Sequence, residues 1–187
     1  GSTPRNSMPS LLLTLDPLRA AHPALTVAPV PFNALRVTIP AGDWLALAIQ
    51  LKSDSALQMD RLRCITGTDY ADRHTLTVTY MLESFTLRHD CTVKIDLPRD
   101  HPTVPSVAHI WRAADWHERE TYDLLGIVFA NHPDSVRDST GIHPRRILLP
   151  DDWVGFPLRR DYPMPEMYHD LPGSVELKWE QKPEYPK

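Results

Sequence analysis

Apolar and polar residues alternate along TLTVTYML, so that Leu76, Val78, Tyr80 and Leu82 share one face of an extended chain. The same period returns in LRHDCTVKIDLP through Cys91, Val93, Ile95 and Leu97. A third strand is expected over LRCITGTDY, with DYADRH turning it back as a hairpin. Upstream, LTVAPVPFNALRVTIP carries β-branched and apolar residues that predict two short strands around PVPFNA. The period changes in PAGDWLALAIQLKSD: Trp44, Leu47, Ala48 and Leu51 recur at helical spacing and Pro40 suits the start. SLLLTLDPLRAAHPAL reads as a short helix interrupted near Pro17 and ended by Pro23. The expected fold class is α+β. Residues 24–98 should form one mostly antiparallel sheet of about four strands, with helices on one face.

After DHPTVP the pattern breaks up. SVAHIWRAA predicts a brief helix and DWHERETYDLL a second, charged one. Asp115 can cap the latter, with Glu118 closing a capping box and Gly126 where the helix should stop. From Gly141 onward stand eight of the 19 prolines, a spacing no helix can run through. Three parts follow: residues 1–7, read as a cloning scar before Met8; an α+β domain over 8–130; and an extended, wrapping tail over 131–187.

Composition narrows the chemistry. A net charge of −4 offers no basic face for phosphate contacts. Cys64 and Cys91 are too few for an iron–sulfur cluster or a structural zinc site, each of which takes four ligands. Of the nine histidines, His101, His109, His117, His132 and His143 show no ligand spacing. No phosphate-cradling glycine loop occurs. The chain is therefore expected to carry no cofactor. No apolar run approaches the roughly 18 residues of a bilayer span, which suggests a cytosolic chain, free or peripherally attached.

The charged helix is the candidate site. Glu118 and Glu120 lie about 160° apart on a helical wheel, so they cannot act on one atom. Glu120 and Asp123 share a face with Trp116. The string HERET is not a zinc-protease signature, since position 121 is Thr. A stand-alone hydrolase-type enzyme using Glu120, Asp123 and His117 is the competing class. Trp116 and Leu124 point one way and Tyr122 and Leu125 the other, which suggests burial on opposite sides. Buried carboxylates need partners, and Arg145, Arg146, Arg159 and Arg160 are the candidates. Internal struts and a docking surface are both compatible with that pattern. For docking, Arg146 and Arg159 are expected on or near the surface of the free chain.

Three segments in order, ERETYDLLGIVF, HPRRILLPDDW and GFPLRRDYP, resemble the 30 kDa, or C-type, subunit family of respiratory complex I. Glu118, Arg119, Glu120, Asp123, Leu124 and Leu125 carry the first motif. Arg146, Ile147 and Leu148 carry the second, and Pro157, Leu158, Arg159, Arg160 and Asp161 the third. One departure is an insertion between two His-Pro pairs, at His132 and His143. The resemblance implies a cofactor-free peripheral-arm subunit, with iron–sulfur clusters, quinone and FMN or NADH held by neighbours. It implies docking to the quinone-site (D) subunit and to the iron–sulfur (B and I) subunits of such a complex. The implied interface is Glu118, Arg119, Glu120, Tyr122, Asp123, Arg145, Arg146, Pro157, Leu158, Arg159, Arg160, Asp161 and Tyr162. It also implies a place on the cytoplasmic side of the inner or a photosynthetic membrane, with membrane contact only through the complex. Related complexes take electrons from ferredoxin or belong to membrane-bound hydrogenases, and PDDWVGFPLRRDY looks like the photosynthetic version.

Overall fold

The computed structural model describes residues 16–30, 34–163 and 165–172. The scar assigned to 1–7, the apolar run before Asp16 and the tail beyond Pro172 lie outside the described residues. The first helix, α1 (Asp16–Ala21), places Pro17 in its first turn. A first-turn N–H has no helical acceptor to lose, so Pro17 begins this helix instead of interrupting it.

Five strands make the main sheet: β1 (Thr26–Val30), β2 (Ala34–Thr38), β3 (Arg61–Tyr70), β4 (Thr75–Ser84) and β5 (His89–Pro98). Their order is β1-β2-β5-β4-β3. The expected count of about four is therefore one short. The β2–β5 pair runs parallel, and the other pairs are antiparallel. The parallel pair arises because α2 (Ala41–Ser53) and the whole β3–β4 hairpin intervene between β2 and β5. A parallel neighbour needs such a crossover.

Burial follows the sequence periods. Leu76, Val78, Tyr80 and Leu82 of β4, and Cys91, Val93, Ile95 and Leu97 of β5, are all buried. Trp44, Leu47, Ala48 and Leu51 of α2 cover them. The Trp44 and Tyr80 rings meet at 4.3 Å. Each such side chain taken from water contributes about 1.5–3 kcal/mol before entropy is counted. On the opposite face of β4, Thr77 is also buried and donates to Asp96 at 2.6 Å.

A smaller unit builds on the edge strand β3. Strands β6 (Thr103–Pro105) and β7 (Val128–Ala130) pair in parallel, with α3 (Ala114–Leu125) between them. The brief helix expected over SVAHIWRAA is absent; residues 106–113 form turns. Their polar groups are committed elsewhere: the Ser106 hydroxyl and the Val107 N–H both bond Glu118, and Trp111 Nε1 donates to the Met59 carbonyl. α3 lies against β3 at Gly67, where a methyl group would collide with Leu125 and press on Thr121 and Ile127. Gly67→Ala is therefore expected to cost about 1–3 kcal/mol through overpacking. A thermal melt matching the wild type would show that α3 can lift off without penalty.

Beyond β7 the chain is not uniformly extended. It first forms a hairpin of β8 (Ser135–Asp138) and β9 (Gly141–Pro144). That hairpin occupies the stretch between the two His-Pro pairs, where the sequence suggested an insertion. Residues 145–163 then cross α3 and the end of β3 as an irregular strap. A two-residue pair, β10 (Met167–Tyr168) with β11 (Leu171–Pro172), follows.

Candidate functional site

α3 ends where glycine allows it. Gly126 sits at φ 76° and its N–H closes on the Tyr122 carbonyl. The start differs from the expected capping box. Ala113 is the N-cap, with no side-chain cap, and Asp115 lies inside the first turn. Glu118 cannot reach back, because its carboxylate is held by Ser106 Oγ at 2.6 Å and the Val107 N–H at 2.8 Å. It is fully buried in its own domain. Burial pushes its carboxyl up to about 7, against the two hydrogen bonds and with help from Asp115. His132 packs on the same turn: its Nε2 lies 3.1 Å from the Asp115 carbonyl and 3.8 Å from Glu118. Its Nδ1 accepts the Asp134 N–H, which places the ring proton on Nε2.

Asp123, near the other end of α3, is also fully buried and holds the strap. One carboxylate oxygen meets Arg146 at 2.8 Å. The other accepts the N–H groups of Ile147, Leu148 and Leu149 at 2.7–3.0 Å. Burial pushes this carboxyl upward, but the three N–H groups and Arg146 together hold it below its usual value. Arg146 further donates to the Asp123 and Gly155 carbonyls and lies over the rings of Tyr122 and Phe156. The expectation that Arg146 is at the free surface is thus corrected. An aspartate in a dry position needed a planar cation, and the strap supplies it.

Other ties repeat this logic. Arg119 donates to the Arg145 carbonyl, pairs with Asp134 and stacks on Trp116; Arg145 shares Asp134. Arg159 Nε donates to the Leu125 carbonyl and the Leu158 N–H to Leu124. The Arg160 N–H bonds Asp69, while its side chain stays exposed. Arg99 was missed by sequence reasoning, yet it bridges Asp69 and Asp161 with bonds of 2.8–2.9 Å. Arg99 holds the Asp69 carboxyl below its usual value and takes Asp161 down to about 2. The only hint in the sequence is an aspartate next to the end of an otherwise strand-like run. Tyr162 donates to the Val154 carbonyl and stacks on Trp153, and Pro157 is half-buried beside Phe156.

The outer side of α3 is left open. Trp116 is 63% exposed, Glu120 is exposed without an ion-pair partner among the described residues, and Leu124 is half-buried. Leu158 and Leu148 flank this strip at 58% and 59% exposure. The chain itself covers the Tyr122 and Leu125 side and, through the strap, Asp123, while Trp116 and Glu120 stay open, so burial on opposite sides is only partly realised. Glu120, Asp123 and His117 do not converge, since Asp123 is spent on the strap and Glu120 faces out. Among the described residues no group of three His, Cys, Asp or Glu side chains is arranged to hold a metal. No helix among them is long and apolar enough to cross a membrane. Cys91 is buried, which pushes its thiol up to about 12.

Against known proteins, the profile described as respiratory-chain NADH dehydrogenase, 30 Kd subunit, matches residues 37–168. The chain belongs to this 30 Kd subunit family. The match reaches back over the sheet, well beyond the motifs around α3 and the strap. The NADH-quinone oxidoreductase C subunit of Chloroherpeton thalassium is 46% identical over 129 residues, 68% of this chain and 50% of that protein. The chloroplastic NAD(P)H-quinone oxidoreductase J subunit of Chaetosphaeridium globosum is 36% identical over 130 residues, 67% of this chain and 70% of that protein. The solved trypsin-resistant fragment (1-134) of Nqo5 superposes with a TM-score of 0.56 at 27% identity, covering 67% of this chain and 98% of the fragment. This 30 Kd family member thus spans about half the length of the first of these relatives.

Proposed function

We propose that this chain is a cofactor-free docking subunit in the peripheral arm of a proton-pumping quinone oxidoreductase fed by NAD(P)H or ferredoxin. Its partners are the subunit that forms the quinone site and the neighbouring iron–sulfur subunits, and its contact with the membrane runs only through the complex. The names of its relatives support the quinone-oxidoreductase setting. One observation carries the docking role: the strip Trp116, Glu120, Leu124 and Leu158 on the outer side of α3. An exposed tryptophan with a lone acid and two leucines beside it is the composition of a contact centre. Arg145 and Arg160 are also exposed along the strap and are proposed as further contacts. Arg119, Tyr122, Asp123 and Arg146 serve the strip from behind by fixing α3 to the strap, and Glu118 by fixing it to the loop at 106–107. The hydrolase reading is not favoured, because its three side chains point to different places.

The test separates folding from assembly. Trp116→Ala and Glu120→Lys alter exposed positions, so each free variant should stay within about 0.5 kcal/mol of wild type. Retention on the immobilised quinone-site subunit should be lost in both. Wild-type retention in both would move the interface elsewhere.

A further inference from the structure

We infer that Arg159 is a socket for a carboxylate carried by a partner polypeptide, which enters the cleft between the β8–β9 hairpin, the end of α3 and the loop before β6. This rests on the docking role proposed above and names what one point of that interface must bring. The cleft measures about 300 Å³. Its aromatic side is made by Tyr122, stacked on His143 at 4.6 Å, and by Phe156. Its polar rim includes His101, Thr103 and Thr140, which can donate hydrogen bonds, and one acid, Asp100.

Arg159 stands out among the arginines around α3 as half-buried without a carboxylate; Arg112 and Arg160, also without one among the described residues, are exposed. Arg99 holds two aspartates, Arg119 and Arg145 share Asp134, and Arg146 holds Asp123. Arg159 has only the Leu125 carbonyl on Nε and the Phe156 ring 5.1 Å away. Among the described residues no carboxylate lies within ion-pair distance of it. Its neighbour in sequence, Asp161, is taken by Arg99. Burial, and the charge of Arg99 beside it, pull the Arg159 guanidinium below its usual value, against the more distant charges of Asp69, Asp161 and Asp100. A half-buried cation in that state gains strongly from a carboxylate, because the planar fork can give it two parallel bonds.

The shape of the site favours a carboxylate on a polypeptide. The aromatic wall suits the apolar stem of an aspartate or glutamate side chain. Leu158, which flanks the exposed strip on α3 and bonds the Leu124 carbonyl, immediately precedes Arg159, so the socket lies one residue along the strap from the proposed docking face. The competing source is this chain's own segment 173–187, which carries Glu176, Glu180 and Glu184.

Full-length variants expressed in cells that build the complex decide the matter. Arg159→Gln should lower co-purification with the complex by about tenfold or more, and Arg159→Lys, which keeps the charge but not the fork, should restore only part of it. Thr103→Glu supplies a carboxylate from inside the cleft. That variant should melt at or above the wild-type temperature and still assemble poorly, which a folding defect would not produce. A photocrosslinking benzophenone residue at Thr140 should trap an acidic segment of another protein in the complex. Normal assembly of Arg159→Gln or Thr103→Glu, with Trp116→Ala defective, overturns the socket and leaves the docking face standing. Normal assembly of all the variants, Trp116→Ala included, defeats the docking role as well. Crosslinks that fall within residues 173–187 overturn the partner and assign the socket to this chain's own segment.

Discussion

Asp123→Ala is expected to destabilise the chain by about 3–5 kcal/mol, because it removes one member of a buried ion pair. Four donors lose their acceptor together: the Arg146 guanidinium and the N–H groups of Ile147, Leu148 and Leu149. Arg146 retains 13% of its side-chain exposure, so water cannot replace the lost carboxylate without opening the strap. The strap should therefore detach before the sheet unfolds. Trypsin offers a direct reading, since Arg145 and Arg146 are adjacent cleavage sites. The variant should be cut there quickly while the core of Val78, Tyr80, Val93 and Ile95 keeps its circular dichroism. Asn at 123 retains an acceptor but turns an amide N–H toward some of the same donors, so it should recover only part of the loss. Wild-type resistance to trypsin together with an unchanged urea midpoint would show that the strap is held by its apolar contacts alone.

The same pair shows where the sequence could and could not be read. Period-two and helical spacing located β4, β5 and α2 with their core faces, because burial there depends on local alternation alone. The sheet order could not be read locally. Nothing in ALRVT states that it will lie parallel to CTVKI, since that pairing is set by the crossover through α2. The arginines were recognised as partners for buried carboxylates, but which arginine meets which acid depends on the path of an irregular strap. Arg146 proved internal, whereas Glu120, in the same motif, faces out. Glu118 is the instructive failure. A residue three positions after Asp115 fits a capping box, yet the loop 106–107 offers it two donors of its own. A long-range competitor of that kind leaves no trace in local spacing. The cost of satisfying the Ser106 and Val107 donors inside the core is a carboxyl group held away from water.

That carboxyl group should give the chain an unusual dependence on pH. Glu118 is fully buried and its pKa is raised from 4.5 to about 7, with burial the main cause. Its proton is bound more tightly in the folded state than in the unfolded one. The stability it contributes is therefore complete below about pH 4.5 and is lost as pH rises through about 7. The displacement amounts to about 3 kcal/mol across that range. Asp69, Asp123 and Asp161 run the opposite way: their carboxyls lie below the usual value, so their contribution disappears only under more acidic conditions. The interval from pH 5 to 8 thus isolates Glu118 among the carboxylates. Wild-type urea midpoints should fall as pH rises across that interval. Glu118→Gln keeps an oxygen for the Val107 N–H and can turn its amide N–H toward the Ser106 hydroxyl oxygen, but cannot ionise. It should match wild type near pH 5, exceed it near pH 8 and show a much flatter profile. Parallel profiles for the two proteins would mean that Glu118 is not the group that titrates. A wild-type midpoint that rose toward pH 8 would reverse the sign, and would show that water or His132 stabilises the ionised form in place.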